Sequence, residues 1–325
     1  MNKYKAWVWC AALLATVDLC CSAAAEPIVV RLSHEAPVGH FSDLAIQSWA
    51  KRVEELTKGN VKIQIFPNGQ LYSDREAVRA ISRGDLDMNV SITSWLAQIE
   101  PKLILFNLPY VFDSTDEFVK MWDSEVGQKL AESLERRNVK ALAVWPTGRI
   151  AIGSKRPIHR LEDFKGLKIR VSGGKPHELA VRALGGQAVT IPAPEVAAAL
   201  ETGVIDGSNG AFSYWAGNFA KPLPYATVTR MWRSAFGVWA NVKFWSQLPQ
   251  DTRKIMEQAL REATTYELEV VAKQEETSAA RAKEMGAEIY ELPDAEEARW
   301  KAATASVASQ FPDLADIIAK MPKSN

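Results

Sequence analysis

Ile28-Val-Val-Arg-Leu32 is a short apolar run that predicts a buried first strand. From Ser42, read as an N-cap, Ile46, Trp49, Ala50, Val53 and Leu56 recur at helical spacing, and Gly59 stands where a left-handed C-terminal residue belongs. Val61, Ile63 and Ile65 then alternate with polar residues as a second strand closed by Asn68-Gly69, and an acidic-start helix begins near Ser73-Asp74-Arg75-Glu76. Met88 to Ile92 reads as a third strand. Further on the same grammar returns: strand Lys140–Val144, strand Gly166-Leu-Lys-Ile-Arg-Val171, helix His177–Leu184, strand Gln187–Ile191, helix Glu195–Glu201 and strand Val204–Asp206. Alternating strands and helices predict an α/β chain with mainly parallel sheets.

The character then changes. After Leu248-Pro249-Gln250-Asp251 no helix breaker occurs until Gly286, and Ile255, Ala259, Ala263, Tyr266 and Val270 form an apolar stripe. Such a helix would run about 50 Å at 1.5 Å per residue, enough to brace two domains at once. Roughly 300 residues beyond the leader also suggest two domains.

The leader is Met1-Asn-Lys-Tyr-Lys5, an apolar stretch Ala6–Val17 and the small-residue exit Ser22-Ala-Ala-Ala25. That is the layout of a secretory signal peptide, with cleavage expected before Glu26 and a periplasmic destination. Val17-Asp18-Leu19-Cys20 distantly resembles a lipoprotein box, but the Asp beside the cysteine and the Ala-x-Ala downstream favour simple cleavage. Cys10, Cys20 and Cys21 all fall in the leader, so the exported chain carries no disulfide, thiol nucleophile or thiolate ligand. Without Lys3, Lys5 and Asp18 the charged residues number 37 basic and 38 acidic, which gives no footprint for nucleic acid. No apolar run reaches the length of a membrane span.

Within Gly166–Val171, Leu167, Ile169 and Val171 alternate with Lys168 and Arg170. Spacing alone allows two readings of Arg170: a cation solvated on the open face of a strand, or a cation that holds something. The rest of the chain bears on the choice. Ala50-Lys-Arg-Val-Glu-Glu-Leu-Thr-Lys-Gly59, Phe66-Pro-Asn-Gly-Gln-Leu71 with Asp74-Arg75-Glu76, Gly84-Asp-Leu-Asp-Met88, Phe106-Asn-Leu-Pro-Tyr-Val-Phe112, Lys155-Arg-Pro-Ile158, Gly166–Val171, and Glu195 through Gly203-Val-Ile-Asp-Gly207 follow one another in an order that resembles the substrate-binding proteins of TRAP transporters, the DctP-type family.

The resemblance implies an α/β, two-lobed periplasmic binding protein fold with a long helix spanning both lobes. Expected boundaries are 26–147 with about 236–275 for lobe I, and 148–235 with about 276–325 for lobe II. It implies a ligand in the interlobe cleft and an arginine at the place of Arg170 that meets the ligand carboxylate. The chemistry agrees, since a guanidinium offers a flat fork of donors that pairs bidentately with a carboxylate, which Lys168 could not reproduce.

Other candidates are weaker. Arg149, in Trp145-Pro-Thr-Gly-Arg149, resembles a second family arginine near the interlobe crossing, against an ordinary salt bridge. Asn209, beside Gly210, occupies a segment where relatives present polar groups to the cleft, against an Asx-turn role. Thr93 and Trp95 follow the third strand, where an open sheet places its crevice, as a donor and a wall. His34 ends the first strand on the crevice side, against a capping role. Phe212 and Trp215, with Trp232, Phe236 and Trp239, are core packing or the wall of a pocket for an apolar ligand body. The resemblance implies charged or amide partners for heavily hydroxylated acids at places that here hold Ile92, Trp95, Ala193 and Gly210, so an organic acid with an apolar or aromatic body is expected over a sugar acid, with a dicarboxylate left open through Arg149.

An extracytoplasmic hydrolase is the rival reading. The chain has no Gly-x-Ser-x-Gly, His-Glu-x-x-His or Walker loop, and its histidines at 34, 40, 159 and 177 show no metal-ligand spacing. Neither catalysis, a metal nor a cofactor is expected. A receptor that feeds a sensor protein instead of a transporter is the third reading. The expectation carried forward is a solute receptor for a small carboxylate, with the small and large TRAP membrane subunits as partners.

Overall fold

The computed structural model describes residues 26–321, so the expected signal peptide 1–25 lies outside the described residues. Strands β1 (Ile28–His34), β2 (Val61–Phe66), β3 (Met88–Ile92) and β4 (Val139–Pro146) are followed by β5 (Ile150–Ser154), β6 (Lys168–Val171), β7 (Gln187–Thr190), β8 (Gly207–Ala211), β9 (Tyr225–Thr229), β10 (Ala235–Asn241) and β11 (Glu288–Glu291). They form two sheets, one ordered β2-β1-β3-β10-β4 and the other β11-β9-β5-β8-β6-β7. In the first, β1 runs parallel to β2 and β3, and β10 is antiparallel to β3 and β4. In the second, β6 is parallel to β7 and β8, while β5 is antiparallel to β8 and β9. The chain crosses between sheets after β4 and returns before β10. Both sheets therefore aim the carboxyl ends of their parallel strands at a shared crevice, where α/β proteins place ligands.

Apolar alternation explains the first sheet. Val30, Leu32, Met88 and Val90 send buried side chains to the face covered by helix Phe41–Leu56, through Ile46, Trp49 and Val53. That helix begins two residues earlier than the Ser42 cap predicts, because His40 caps it, its Nδ1 accepting from the Ser42 N–H at 3.3 Å. The strand expected at Val204–Asp206 is instead β8, three residues later. Val204 is exposed in the preceding turn, and Asp206 accepts from the Lys168 N–H at 2.9 Å.

The long helix runs Gln250–Glu284, 35 residues. Met256, Ala259, Leu260, Ala263 and Val271 pack in the core of the first sheet, and Ala282 packs in that of the second. Trp49 and Trp145 tie the first sheet to it, donating to the Met256 carbonyl at 3.0 Å and to Thr264 Oγ1 at 2.8 Å. Its buried face is rotated about one residue from the expected stripe: Tyr266 is 39% exposed and Glu267 is fully buried. Neither Glu267 carboxylate oxygen has a hydrogen-bond partner, and burial pushes the group up to about 8.

Gly148 shapes the first crossing. Its φ of +76° suits glycine, and a Cβ there would stand 2.3 Å from Glu275 Oε1 of the long helix. Among the described residues, no helix is long and apolar enough to cross a membrane.

Candidate functional site

Arg170 lies on β6, paired through Val189 of β7 and Ser208 of β8, so both edges of its strand are occupied. Ile169 and Val171 face apolar cores on one side, and the alternation sends Arg170 the other way, toward the crevice. It is only 5% exposed, which excludes the solvated-face reading. Its Nε donates to the Ile191 carbonyl at 2.8 Å and Nη1 reaches the Asn209 carbonyl at 3.5 Å. No described carboxylate forms an ion pair with it. Burial lowers it to about 10, still a cation at neutral pH.

The crevice holds a cavity of about 90 Å³ lined by residues of both sheets. Its first-lobe wall carries Glu35, immediately after β1, and Asp74, the first residue of helix Asp74–Arg83. Glu35 accepts from the Asp74 N–H at 2.8 Å and, across the crevice, from the Ala193 N–H at 3.0 Å. Burial pushes the Glu35 carboxyl up, and these two N–H groups with the Arg170 charge draw it partly back. Burial and the neighbouring Glu35 push the Asp74 carboxyl well above its ordinary value. Its Oδ1 has no hydrogen-bond partner.

Two cavity histidines are kept neutral by burial: His40, down to about 3, with His34 adding to the effect, and His177, down to about 4. The His177 Nδ1–H donates to the Gly173 carbonyl at 2.6 Å, which leaves Nε2 as an acceptor. Tyr214, Trp232 and Phe236 supply aromatic surface, and Ile92, Ala193 and Gly210 line the same space.

Of the eight residues singled out by sequence, Arg170 and Asn209 line this cavity; the other six do not. Arg149 turns outward, 43% exposed, and pairs with Glu275 at 3.1 Å and Glu291 at 2.7 Å while its guanidinium covers the Phe212 ring at 4.3 Å. Phe212 and Trp215 belong to the second-lobe core, because helix Phe212–Asn218 puts positions 212, 215 and 216 on one buried face; the Trp215 indole donates to the Leu223 carbonyl at 2.9 Å. Thr93 opens the short turn Thr93–Gln98 and is buried just past Ile92. Trp95 packs against Gly173, where an added Cβ would meet its ring at 2.9 Å. His34 is buried with its Nε2 3.3 Å from Asp43. Asp43 also accepts from Gly39 and Gln47, and against its own burial these bonds hold its carboxyl below the usual range.

Glu35 and Asp74 were missed. The signal available in the sequence is a carboxylate directly after a buried strand, one residue beyond the candidate His34. Strand parity separates them, sending His34 under the first helix and Glu35 into the crevice.

Arg149→Ala accordingly should leave ligand affinity within about twofold and cost up to about 1 kcal/mol of stability, as an exposed ion-pair cluster does. Titration calorimetry and a urea melt on the same sample check both halves. A large loss of affinity would return Arg149 to the site.

Two lobes closing on a small cavity with a buried arginine define a cleft-type solute receptor. The chain belongs to the DctP family, the bacterial extracellular solute-binding proteins of family 7, whose model matches residues 32–313. It is 30% identical over 285 residues to the C4-dicarboxylate-binding periplasmic protein DctP of Rhodobacter capsulatus, covering 86% of this chain and 85% of that one. It is 27% identical to the 2,3-diketo-L-gulonate-binding periplasmic protein YiaO of Escherichia coli, over 80% of each chain. A TRAP periplasmic solute-binding protein from Sulfurospirillum deleyianum, solved with bound succinate, superposes with a TM-score of 0.84 at 29% identity, covering 91% of this chain and all of that one (100%). One from Pseudomonas putida, solved with D-glucuronate, gives 0.82 at 26% identity, with 92% and 99% covered. These relatives are two-lobed binding receptors, and the hydrolase reading finds no support among them.

Proposed function

We propose that this chain is the periplasmic receptor of a TRAP-type transporter, which captures a small organic acid between its lobes and hands it unchanged to small and large membrane subunits. The observation that carries the reading is Arg170: a guanidinium 5% exposed, lining a cavity and forming no ion pair with a described residue. A buried cation is costly unless an anion meets it, and a carboxylate suits its remaining N–H fork. Asn209, whose Oδ1 is buried without a partner, is the second ligand contact in this reading. The relatives' dicarboxylates and sugar acids support an acid as the class.

The cavity of about 90 Å³ favours a compact acid. It is room for about six to nine water-sized groups. Apolar Ile92, Ala193 and Tyr214's ring reward carbon skeleton more than hydroxyls, which supports an apolar body with Tyr214, Trp232 and Phe236 as walls in place of Phe212 and Trp215. Removal of residues 1–25 would release the chain into the periplasm, with the lobes dividing at 147/148, near 235/236 and within the long helix near 275/276.

A thermal-shift panel of carboxylic acids on the exported chain tests the reading. A ligand that binds only the folded state at about a hundred times its Kd adds about 2.7 kcal/mol, a plain upward shift in Tm. A panel in which no acid shifts Tm and only neutral solutes do would end it.

A further inference from the structure

We infer that the acid held here also carries a protonated nitrogen, so that the ligand is a compact zwitterion with its carboxylate on Arg170 and its N–H group on Glu35. This rests on the carboxylate reading above and narrows it.

Charge balance is the first support. The cavity presents one guanidinium, Arg170, and one carboxylate held by two N–H donors, Glu35. These donors and the Arg170 charge favour its ionised form against its burial. Asp74, the other carboxyl of the wall, has only a long bond from the Ile92 N–H at 3.4 Å on Oδ2 and no partner on Oδ1, so the negative charge of the pair is better held on Glu35. A second ligand carboxylate would put two buried anions and Glu35 against a single cation. A simple monoacid leaves one negative charge in excess, whereas a zwitterion leaves none. Buried charges left uncompensated are the costly ones.

Hydrogen-bond balance points the same way. Glu35 uses one lone pair on each oxygen, for Asp74 and Ala193, and keeps others. Asn209 Oδ1 is buried without a partner, and His177 offers Nε2 as an acceptor. These acceptors need a donor from the ligand, which an unsubstituted dicarboxylate such as succinate lacks. Tyr214, Trp232 and Phe236 line the same cavity, and aromatic faces attract a cation once it leaves water. The two charged contacts also come from opposite lobes, Glu35 after β1 and Arg170 on β6, so one zwitterion would draw the crevice shut from both sides.

Matched ring acids test this on the wild-type chain: L-proline against cyclopentanecarboxylate, L-pipecolate against cyclohexanecarboxylate, with succinate alongside, all by titration calorimetry. At least one nitrogen ring should bind about tenfold or more tightly than its carbocycle, a difference of about 1.4 kcal/mol, and more tightly than succinate. Glu35→Gln should collapse that ratio toward one and improve succinate. Ratios near one in both pairs of the wild type, silence from all four ring acids, or succinate as the tightest ligand would overturn the zwitterion. The carboxylate reading fails separately, by acids binding Arg170→Met as tightly as the wild type.

Discussion

Arg170→Lys should fold like the wild type and lose about thirtyfold or more in affinity for its acid. The lysine keeps a positive charge but gives up the planar fork, and with it both the Nε bond to the Ile191 carbonyl and the paired donors toward the cavity. Loss of one charge-assisted contact in a closed site is worth about 2 kcal/mol, which is about thirtyfold. Calorimetry on the variant, with circular dichroism as the folding control, reads it directly. Affinity within a few-fold of wild type would mean that Arg170 serves the packing of β6 against β7 and β8 and not the ligand.

Glu267→Gln should change the pH dependence of stability more than any surface substitution. The folded chain holds the Glu267 carboxyl at about 8 because it is buried without partners, against an ordinary 4.5 in the unfolded chain. Between those values the folded state keeps a proton that the unfolded state has released. The unfolded state therefore binds fewer protons, and stability falls as pH rises from about 4.5 to about 8. The amide cannot ionise and removes this slope. Relative to wild type the variant should gain on the order of 3 kcal/mol on going from pH 5 to pH 8. Urea melts of both proteins at the two pH values check it. Parallel behaviour would show that water reaches Glu267 in solution.

What sequence could and could not disclose follows from local geometry. Arg170 stood out because a cation interrupts an apolar strand, and alternation correctly sets it opposite Ile169 and Val171. The long helix was visible from thirty-odd residues without a breaker, yet its face was misplaced, because Glu267 reads as polar and Tyr266 as core. Only the packing of Met256, Ala263 and Val271 against the first sheet turns the glutamate inward. Helix Phe212–Asn218 shows the same difficulty at shorter range. Phe212 and Trp215 share its buried face, and Tyr214, which sequence passed over, lines the cavity. Glu35 was hidden for another reason, since its importance depends on Asp74 and Ala193, 39 and 158 residues away. No local pattern records a contact between lobes.

The most direct measurement compares the acid giving the largest thermal shift with the primary amide of the same skeleton, both titrated calorimetrically into residues 26–325 at one pH. The amide has nearly the same shape but no charge for the guanidinium and one oxygen fewer for its fork. The expected result is tight binding of the acid and a loss of about thirtyfold or more for the amide, as fits removal of a charge-assisted pair. Equal affinity for acid and amide would contradict a carboxylate anchored at Arg170.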